Sequence, residues 1–354
     1  MTTVQSAKTM IINQPQWWAG LDLHKNYVYL TVIDKHGTIY HQDRYDNKDN
    51  NKLIKKLTSF PGQVNAVVES TYGWYWLVDK LESAGLPVVL AHPQKVKAIA
   101  GSSKTDAKDS FILANLLRMN HLPTSYIPEP NERQSRELLR FRFSLVEQLS
   151  TVKRRLRDIL AKQNLNCPYR DITSLKAQAW FKEAKIVYPY QAEVQILFDQ
   201  AKQLKAHIKS IDQIIDNHVK ANPSAQLLMT IPGVGRILGL TIAVEIGNID
   251  RFPRVSSLAA YVGIVPRVYA SGGKTYMGSI NRHGNKYLRW ALAEASLYLI
   301  KHDTVYKSFY DRLIKRGKPK PKARVAVMHK LTRAIYTMLK KNIPFIHHQM
   351  LNGR

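Results

Sequence analysis

The hydrophobic period of this chain changes once, at "PEPNERQ" (128–134), and no single packing scheme serves both sides of that point. Before it, "WWAGLDLHKNYVYLTVIDKHGTIY" alternates apolar and polar residues around an Asp-Lys-His-Gly turn. A period of two predicts antiparallel strands, at about 17–23, 27–34 and 38–45. A short helix suits 50–59. "QVNAVVES" and "LPVVLAH" are near-continuous apolar runs, as strands covered on both faces are. Between them "GWYWLVDKLESAG" is amphipathic and stops at Gly85, and another helix is expected over 106–120. Strands followed by alternating helices and strands predict an α/β domain over 16–127, after a flexible lead-in at 1–15.

Beyond the break, Leu138, Phe141, Leu145, Leu149, Val152, Leu156 and Ile159 follow a 3-and-4 spacing. A second stripe runs Val194, Leu197, Ala201, Leu204, Ile208, Ile211, Ile215 and Val219. Two such helices predict a helical hairpin or coiled coil over 128–222, within the chain or between chains; packing on a neighbouring domain is an equal alternative. Further on, "IPGVG" separates two apolar helical segments. That is the pattern of a helix-hairpin-helix turn, where Gly233 and Gly235 let the backbone approach a DNA phosphate; a plain helix connection is the simpler reading. The rest of a 223–345 domain reads as helical and basic, with "NRHGNKYLRWALAEASLYLI" as one helix. The expected fold is therefore α/β plus all-α.

The 354 residues carry 53 Lys+Arg against 26 Asp+Glu, a formal net charge of +27. Such an excess favours a polyanionic partner, most often nucleic acid. A basic membrane-surface protein fits less well, because no amphipathic basic anchor stands out and no apolar run reaches the length of a membrane span. The N-terminus lacks the apolar core of a signal peptide. The sole cysteine, Cys167, excludes an internal disulfide and a cysteine-rich zinc site. A reducing, cytoplasmic setting is expected.

Some acids stand where acids are costly. Asp22 lies inside a strand-like run and Glu69 ends another. An unpaired buried carboxylate costs several kcal/mol, about what a cation or hydrogen bonds must offset. Asp106 and Asp109 are three apart and share a helix face, where they repel unless a cation lies between them. Singly, each has a plain structural explanation; acids in a first helical turn suit the helix dipole. Together the four could surround one or two hard divalent cations with oxygen, Mg²⁺ being the natural choice and Mn²⁺ its substitute.

"GLDLHK", "VVEST" and "KTDAKDS", in this order and at these separations, resemble the RuvC-like, RNase H-fold domain of the DEDD-type insertion-sequence transposases. That family comprises insertion-sequence family one-ten and its relatives, including the Piv/MooV DNA invertases. "LMTIPGVG", "FPRVSSLAAYVGIVPRVYASGGK" and "GSINRHGNKYLRWAL" resemble its second domain, so the likeness runs from about residue 18 to 340. It implies an N-terminal RuvC-like domain, a long-helix coiled-coil linker and a C-terminal helical transposase domain with a helix-hairpin-helix. It also implies a catalytic, metal-binding tetrad of Asp22, Glu69, Asp106 and Asp109, and a catalytic serine at Ser271. Ile264 replaces the usual Leu of the stretch before that serine, a change without chemical weight. Ser279 is the nearest competitor, and Ser102 and Ser103 read as loop and cap residues.

What the resemblance implies is a serine that attacks DNA and forms a covalent phosphoserine link, conserving bond energy for rejoining. A serine hydroxyl needs activation, and a bound metal can polarise the scissile phosphate. Because Ser271 is far in sequence from the acids, the site is expected to be composite, within one chain or between subunits of a dimer or tetramer. Donor and target DNA are the implied substrates, and a structured non-coding guide RNA, an expectation from the resemblance alone, would choose their sequence.

The nucleic-acid contacts expected are Lys104 before the acid pair, Arg154 and Arg155 on the polar side of the first long helix, and Gly233 and Gly235. Arg267 and Lys274 flank Ser271, and Arg282, Lys286 and Arg289 stand at a helix start. Tyr269 and Tyr276 could stack on bases, although core packing is the better reading of either. Neither a serine-recombinase nor a tyrosine-recombinase pattern organises the chain as well. The rivals are a RuvC-like metal-dependent nuclease or junction resolvase without a covalent intermediate, and a non-catalytic nucleic-acid-binding protein.

Overall fold

The computed structural model describes residues 17–100, 105–271, 274–280 and 284–346, with the backbone alone for 100, 268–271, 274, 275 and 277. The lead-in expected at 1–15 lies outside the described residues. The chain divides into two units, Met1–Pro128 and Glu129–Arg354.

The first unit is built on a mixed sheet. Its elements are β1 (Trp17–Leu23), β2 (Tyr27–Ile33), β3 (Ile39–Asp46), α1 (Asn50–Thr58), β4 (Val64–Glu69), α2 (Trp74–Ser83), β5 (Val88–Ala91), α3 (Pro93–Ala100), α4 (Asp106–Arg118) and β6 (Thr124–Ser125). The strand order is β3-β2-β1-β4-β5-β6. β1 pairs antiparallel with β2 and parallel with β4, which runs parallel to β5. Successive side chains of a strand face opposite ways, and each face has its own core. Ala19, Leu21, Leu23, Val64, Ala66 and Val68 pack with Leu53 and Leu57 of α1 and Leu77, Val78 and Leu81 of α2. Val67 and Ala91 meet Val96 of α3 and Leu113 and Leu116 of α4 on the other face. By that alternation Gly20, Asp22 and Glu69 all belong to the α4 face.

Helix α3 is absent from the sequence expectation. Its eight residues bury Val96, too short an apolar stripe to read, while Pro93 supplies the start and the His92 carbonyl accepts from Lys95 and Val96.

The second unit comprises α5 (Pro130–Lys162), α6 (Leu175–Glu183), α7 (Tyr190–Lys220), α8 (Pro223–Leu228), α9 (Arg236–Ile246), α10 (Val255–Val262), β7 (Pro266–Ser271), β8 (Lys274–Ile280), α11 (Lys286–His302), α12 (Thr304–Lys315) and α13 (Lys320–Lys341). The long helices α5 and α7 pack on each other within the chain. Near one end Arg142 pairs with Asp212, and near the other Val152, Leu156, Val194 and Ala201 share a core with Phe181 of α6. The stripe is not covered throughout, since Phe141 is 54% exposed. A larger core, from Leu228 and Leu240 through Leu292 and Leu299 to Leu331 and Met338, joins α8, α9, α11 and α13.

The expectation of a wholly helical C-terminal domain is corrected here. β7 and β8 form an antiparallel hairpin that pairs Tyr269 with Tyr276 and Ser271 with Lys274. β-branched and aromatic residues on both sides of a Gly-Gly dipeptide are a hairpin signal, and here it prevails over the helical context. Gly233 lies at φ +83°, and a Cβ there would overlap the Tyr298 ring of α11, so packing within the protein already requires this glycine. Among the described residues, no helix is long and apolar enough to cross a membrane.

Candidate functional site

The carboxyl edge of the parallel strands gathers the first unit's polar chemistry. Leu21 pairs with Val68, so Asp22 and Glu69 follow as the next residues of two adjacent strands. Helix α4 then brings its first turn over them. Gly20 makes this approach feasible: a Cβ there would overlap the Ser110 carbonyl oxygen and stand 2.7 Å from the Ala114 nitrogen. Polar bonds fix the helix start. Thr31 Oγ1 and Ser110 Oγ are 2.6 Å apart, and the Gln42 amide donates to Thr31 Oγ1 at 2.8 Å and to the Ala107 carbonyl at 2.9 Å. Thr105 is the N-cap, its hydroxyl accepting from the Lys108 N–H, which leaves Asp106 and Asp109 free of capping duty in the first turn.

Asp22 is 8% exposed. His24 Nε2 lies 3.1 Å from Asp22 Oδ2 and 3.3 Å from Asp106 Oδ1. The Tyr27 hydroxyl donates to the other Asp106 oxygen at 2.8 Å, and this bond pushes the Tyr27 pKa up. The Tyr27 ring stacks on His24 at 4.6 Å and carries the Arg44 guanidinium 3.8 Å from its centre. Burial raises the Asp22 pKa; His24 works against this, and the charges of Asp106 and Asp109 add to it. A buried carboxylate facing two like charges is under-compensated, which is the electrostatic condition a divalent cation relieves.

One ligand atom each from Asp22, His24 and Asp106 lies within 4.8 Å of the others. Among the described residues, this is the set drawn tightly enough to hold a metal ion. Glu69 and Asp109, both half-buried, stand outside it, although Asp109 is near enough to act on Asp22. Mixed oxygen and nitrogen donors, a raised Asp22 pKa and an open side at His24, whose side chain is 37% exposed, fit a divalent cation. Two buried atoms without hydrogen-bond partners, Thr71 Oγ1 and His92 Nδ1, follow β4 and β5 at the same edge. Sequence reasoning passed over His24 and Tyr27. The signal for His24 was its i+2 spacing from Asp22, which keeps both on one face of an extended chain.

The other expected residues are placed unevenly. Lys104, Ser102, Ser103 and Arg282 lie outside the described residues. Ser271 is the last residue of β7, and of it and Lys274 the backbone alone is described. Arg154 and Arg155 are exposed on α5, and Arg154 borders a cavity of about 550 Å³ with Phe143, Tyr287 and Trp290. Lys286 is exposed at the start of α11, and Arg267 is half-buried in β7. Arg289 turns inward and donates to the Val262 carbonyl at 3.1 Å, so part of its guanidinium serves the fold. Tyr276 is 63% exposed, which corrects its expected core packing; it lies on a two-stranded sheet. Gly235 caps α9 with open space where a side chain would stand.

Comparison with known proteins bears on both units. A model of the DEDD transposases related to IS110 matches residues 19–164, and one of the IS116/IS110/IS902 transposase family matches residues 225–311. The chain is 27% identical to the transposase of insertion sequence element IS1328 from Yersinia enterocolitica, over 78% of this chain and 82% of that one. It is 24% identical to the IS1111A transposase of Coxiella burnetii, over 91% and 89%. With the pilin gene-inverting protein of Moraxella bovis the identity is 28%, over 80% and 82%.

Proposed function

From the premise that the chain belongs to the DEDD-type insertion-sequence transposases, enzymes that cut and join DNA, we propose a specific division of labour between its two units. The first unit is an RNase H-like, RuvC-like catalytic domain, and Asp22, Glu69, Asp106 and Asp109 hold Mg²⁺ there. The observation that carries this reading is the buried Asp22 drawn toward Asp106 by His24 at the carboxyl edge of parallel strands. A metal held by these residues would polarise the scissile phosphate and stabilise charge on the oxygen that attacks or leaves.

The chain's own residues do the rest. Tyr27 orients Asp106 by donating to one of its oxygens, leaving the other turned to His24. Ser271 is the nucleophile of the second unit and becomes covalently joined to DNA, preserving the energy of the broken phosphodiester for resealing. Arg267 and Lys274, beside it in sequence, bind the flanking phosphates, and Arg154, Arg155 and Lys286 extend the basic surface. A structured RNA chooses the donor and target sequences, and the working form is a homo-oligomer.

The test is a covalent adduct. Purified protein is incubated with element-end DNA and Mg²⁺, with the RNA transcribed from the element's flank, then denatured and resolved by gel. The wild type is expected to trap a protein–DNA adduct that Ser271→Ala lacks, and Asp106→Ala is expected to neither cut nor trap. Full-rate cutting by Ser271→Ala with no adduct in either protein would favour the nuclease reading instead.

A further inference from the structure

We propose that His24 is a ligand of the metal centre, a nitrogen donor beside Asp22 and Asp106, and that it shifts this centre toward transition-metal ions such as Mn²⁺ over Mg²⁺. The inference rests on the reading of the acids as metal ligands and names one member of the coordination set that this reading lacks.

The spacing supports it. Bonds of about 2.1 Å at right angles put neighbouring ligand atoms about 3 Å apart. His24 Nε2 stands 3.1 Å from Asp22 Oδ2 and 3.3 Å from Asp106 Oδ1, so the three atoms already lie at the separations of adjacent ligands. The imidazole is also held. Its ring stacks on Tyr27 at an interplanar angle of 26°, and the backbone beneath it is fixed by the His24 main-chain N–H, which donates to the Tyr27 carbonyl at 2.9 Å. Tyr27 is fixed in turn by Asp106 and by Arg44 above its ring. Ring and carboxylate are thus positioned by one side chain, which sets their geometry before any ion arrives. Mg²⁺ favours oxygen donors and keeps its waters, whereas imidazole suits borderline transition metals.

The competing role is a hydrogen-bonding bridge between two carboxylates, with no bond to metal. Pulsed electron paramagnetic resonance on full-length protein loaded with Mn²⁺ separates the two. A coordinated imidazole gives ¹⁴N modulation of the Mn²⁺ signal; a bridge that departs on binding gives none. Wild type is expected to show this modulation. His24→Ala is expected to lose it and to bind Mn²⁺ more weakly by on the order of tenfold, with little change for Mg²⁺. His24→Asp, which makes the donor set all-oxygen, is expected to prefer Mg²⁺, and its circular dichroism should match the wild type. Mn²⁺ bound without ¹⁴N modulation, or bound no less tightly by His24→Ala, overturns the proposal while leaving the acids as ligands. No Mn²⁺ bound by the wild type overturns both readings.

Discussion

Asp22 in the first unit and Glu245 in the second are both carboxylates set in apolar stretches and buried, at 8% and 1% exposure. Their surroundings differ completely. Glu245 receives two bonds from the Arg140 guanidinium, each 3.0 Å, and one from the Asn285 amide at 2.7 Å, with Arg136 at 3.9 Å. It ties α9 to α5 and to the cap of α11, where the Asn285 oxygen accepts from Tyr287 and Leu288. Asp22 has His24 and, beyond it, two more acids. A buried acid whose charge is met by protein cations is part of the fold; one left among like charges is in the electrostatic condition that a bound cation would relieve. The sharpest way to break this contrast is Glu245→Ala. Removing Glu245 takes the shared carboxylate from Arg140 and from the more deeply buried Arg136, and should cost about 3–5 kcal/mol, as breaking a buried pair does, read as a lower urea midpoint. A loss under about 1 kcal/mol would place Glu245 with ordinary surface pairs and dissolve the comparison.

The next effect concerns the ion itself. A divalent cation that binds the folded first unit alone should stabilise it by mass action, about 2.7 kcal/mol at one hundred times its dissociation constant. Thermal unfolding with and without Mn²⁺ measures this. Asp22→Asn should remove the gain, and Glu245→Gln should leave it intact. If both variants lose it equally, the cation is not binding where the under-compensated acid lies.

Much of this contrast could be read from sequence, and its decisive half could not. Asp22 and Glu69 stood out because an acid interrupts or ends an apolar run, a local signal. "TIAVEIGN" carries the same signal at Glu245, yet sequence reasoning left that acid out. Whether such an acid is satisfied depends on partners far along the chain, Arg140 and Asn285 for one and Asp106 for the other, and that information is tertiary. β1, β2 and β3 were legible because their period of two is strong, β4 and β5 because their apolar runs are near-continuous, and α5 and α7 because their stripes are long. The β7–β8 hairpin was missed because it is short and embedded in helical context, and α3 because its eight residues carry too short an apolar stripe. His24 was in plain view inside "GLDLHK", but its meaning depends on α4 folding back over β1.

That fold-back hangs on Gly20, which gives a smaller prediction. Gly20→Ala puts a methyl group into the Ser110 carbonyl, and helix and strand must part to admit it. The expected cost is about 1–3 kcal/mol, typical of overpacking at a close contact. Because the shift moves Asp106 away from Asp22, Mn²⁺ affinity should fall in the same variant. Stability lost with metal affinity unchanged would show that the helix start is held by the Thr31, Ser110 and Gln42 bonds independently of its approach to β1.

The smallest effects are in pH, where the sign is the test. Burial would raise the Asp171 pKa, but bonds from Lys153 and Thr173 and the charge of Lys205 outweigh it and hold this carboxyl well below the usual range. A depressed folded pKa contributes stability that is present above the unfolded value, about 3.9, and is lost as pH falls through the folded one. Asp171→Asn should therefore cost about 0.2–1 kcal/mol at neutral pH, as exposed pairs do, and the gap from wild type should close in acid. Asp22 runs the other way. Its raised pKa means the folded state holds the proton longer, so metal-free stability falls as pH rises above about 4 through the folded pKa. Asp22→Asn, which cannot ionise, should gain on wild type over that window without metal and lose the advantage once Mn²⁺ is added. Urea midpoints at several pH values, for both variants with and without Mn²⁺, give the two slopes. Slopes of the same sign would mean that Asp22 is as well compensated as Asp171 and needs no ion.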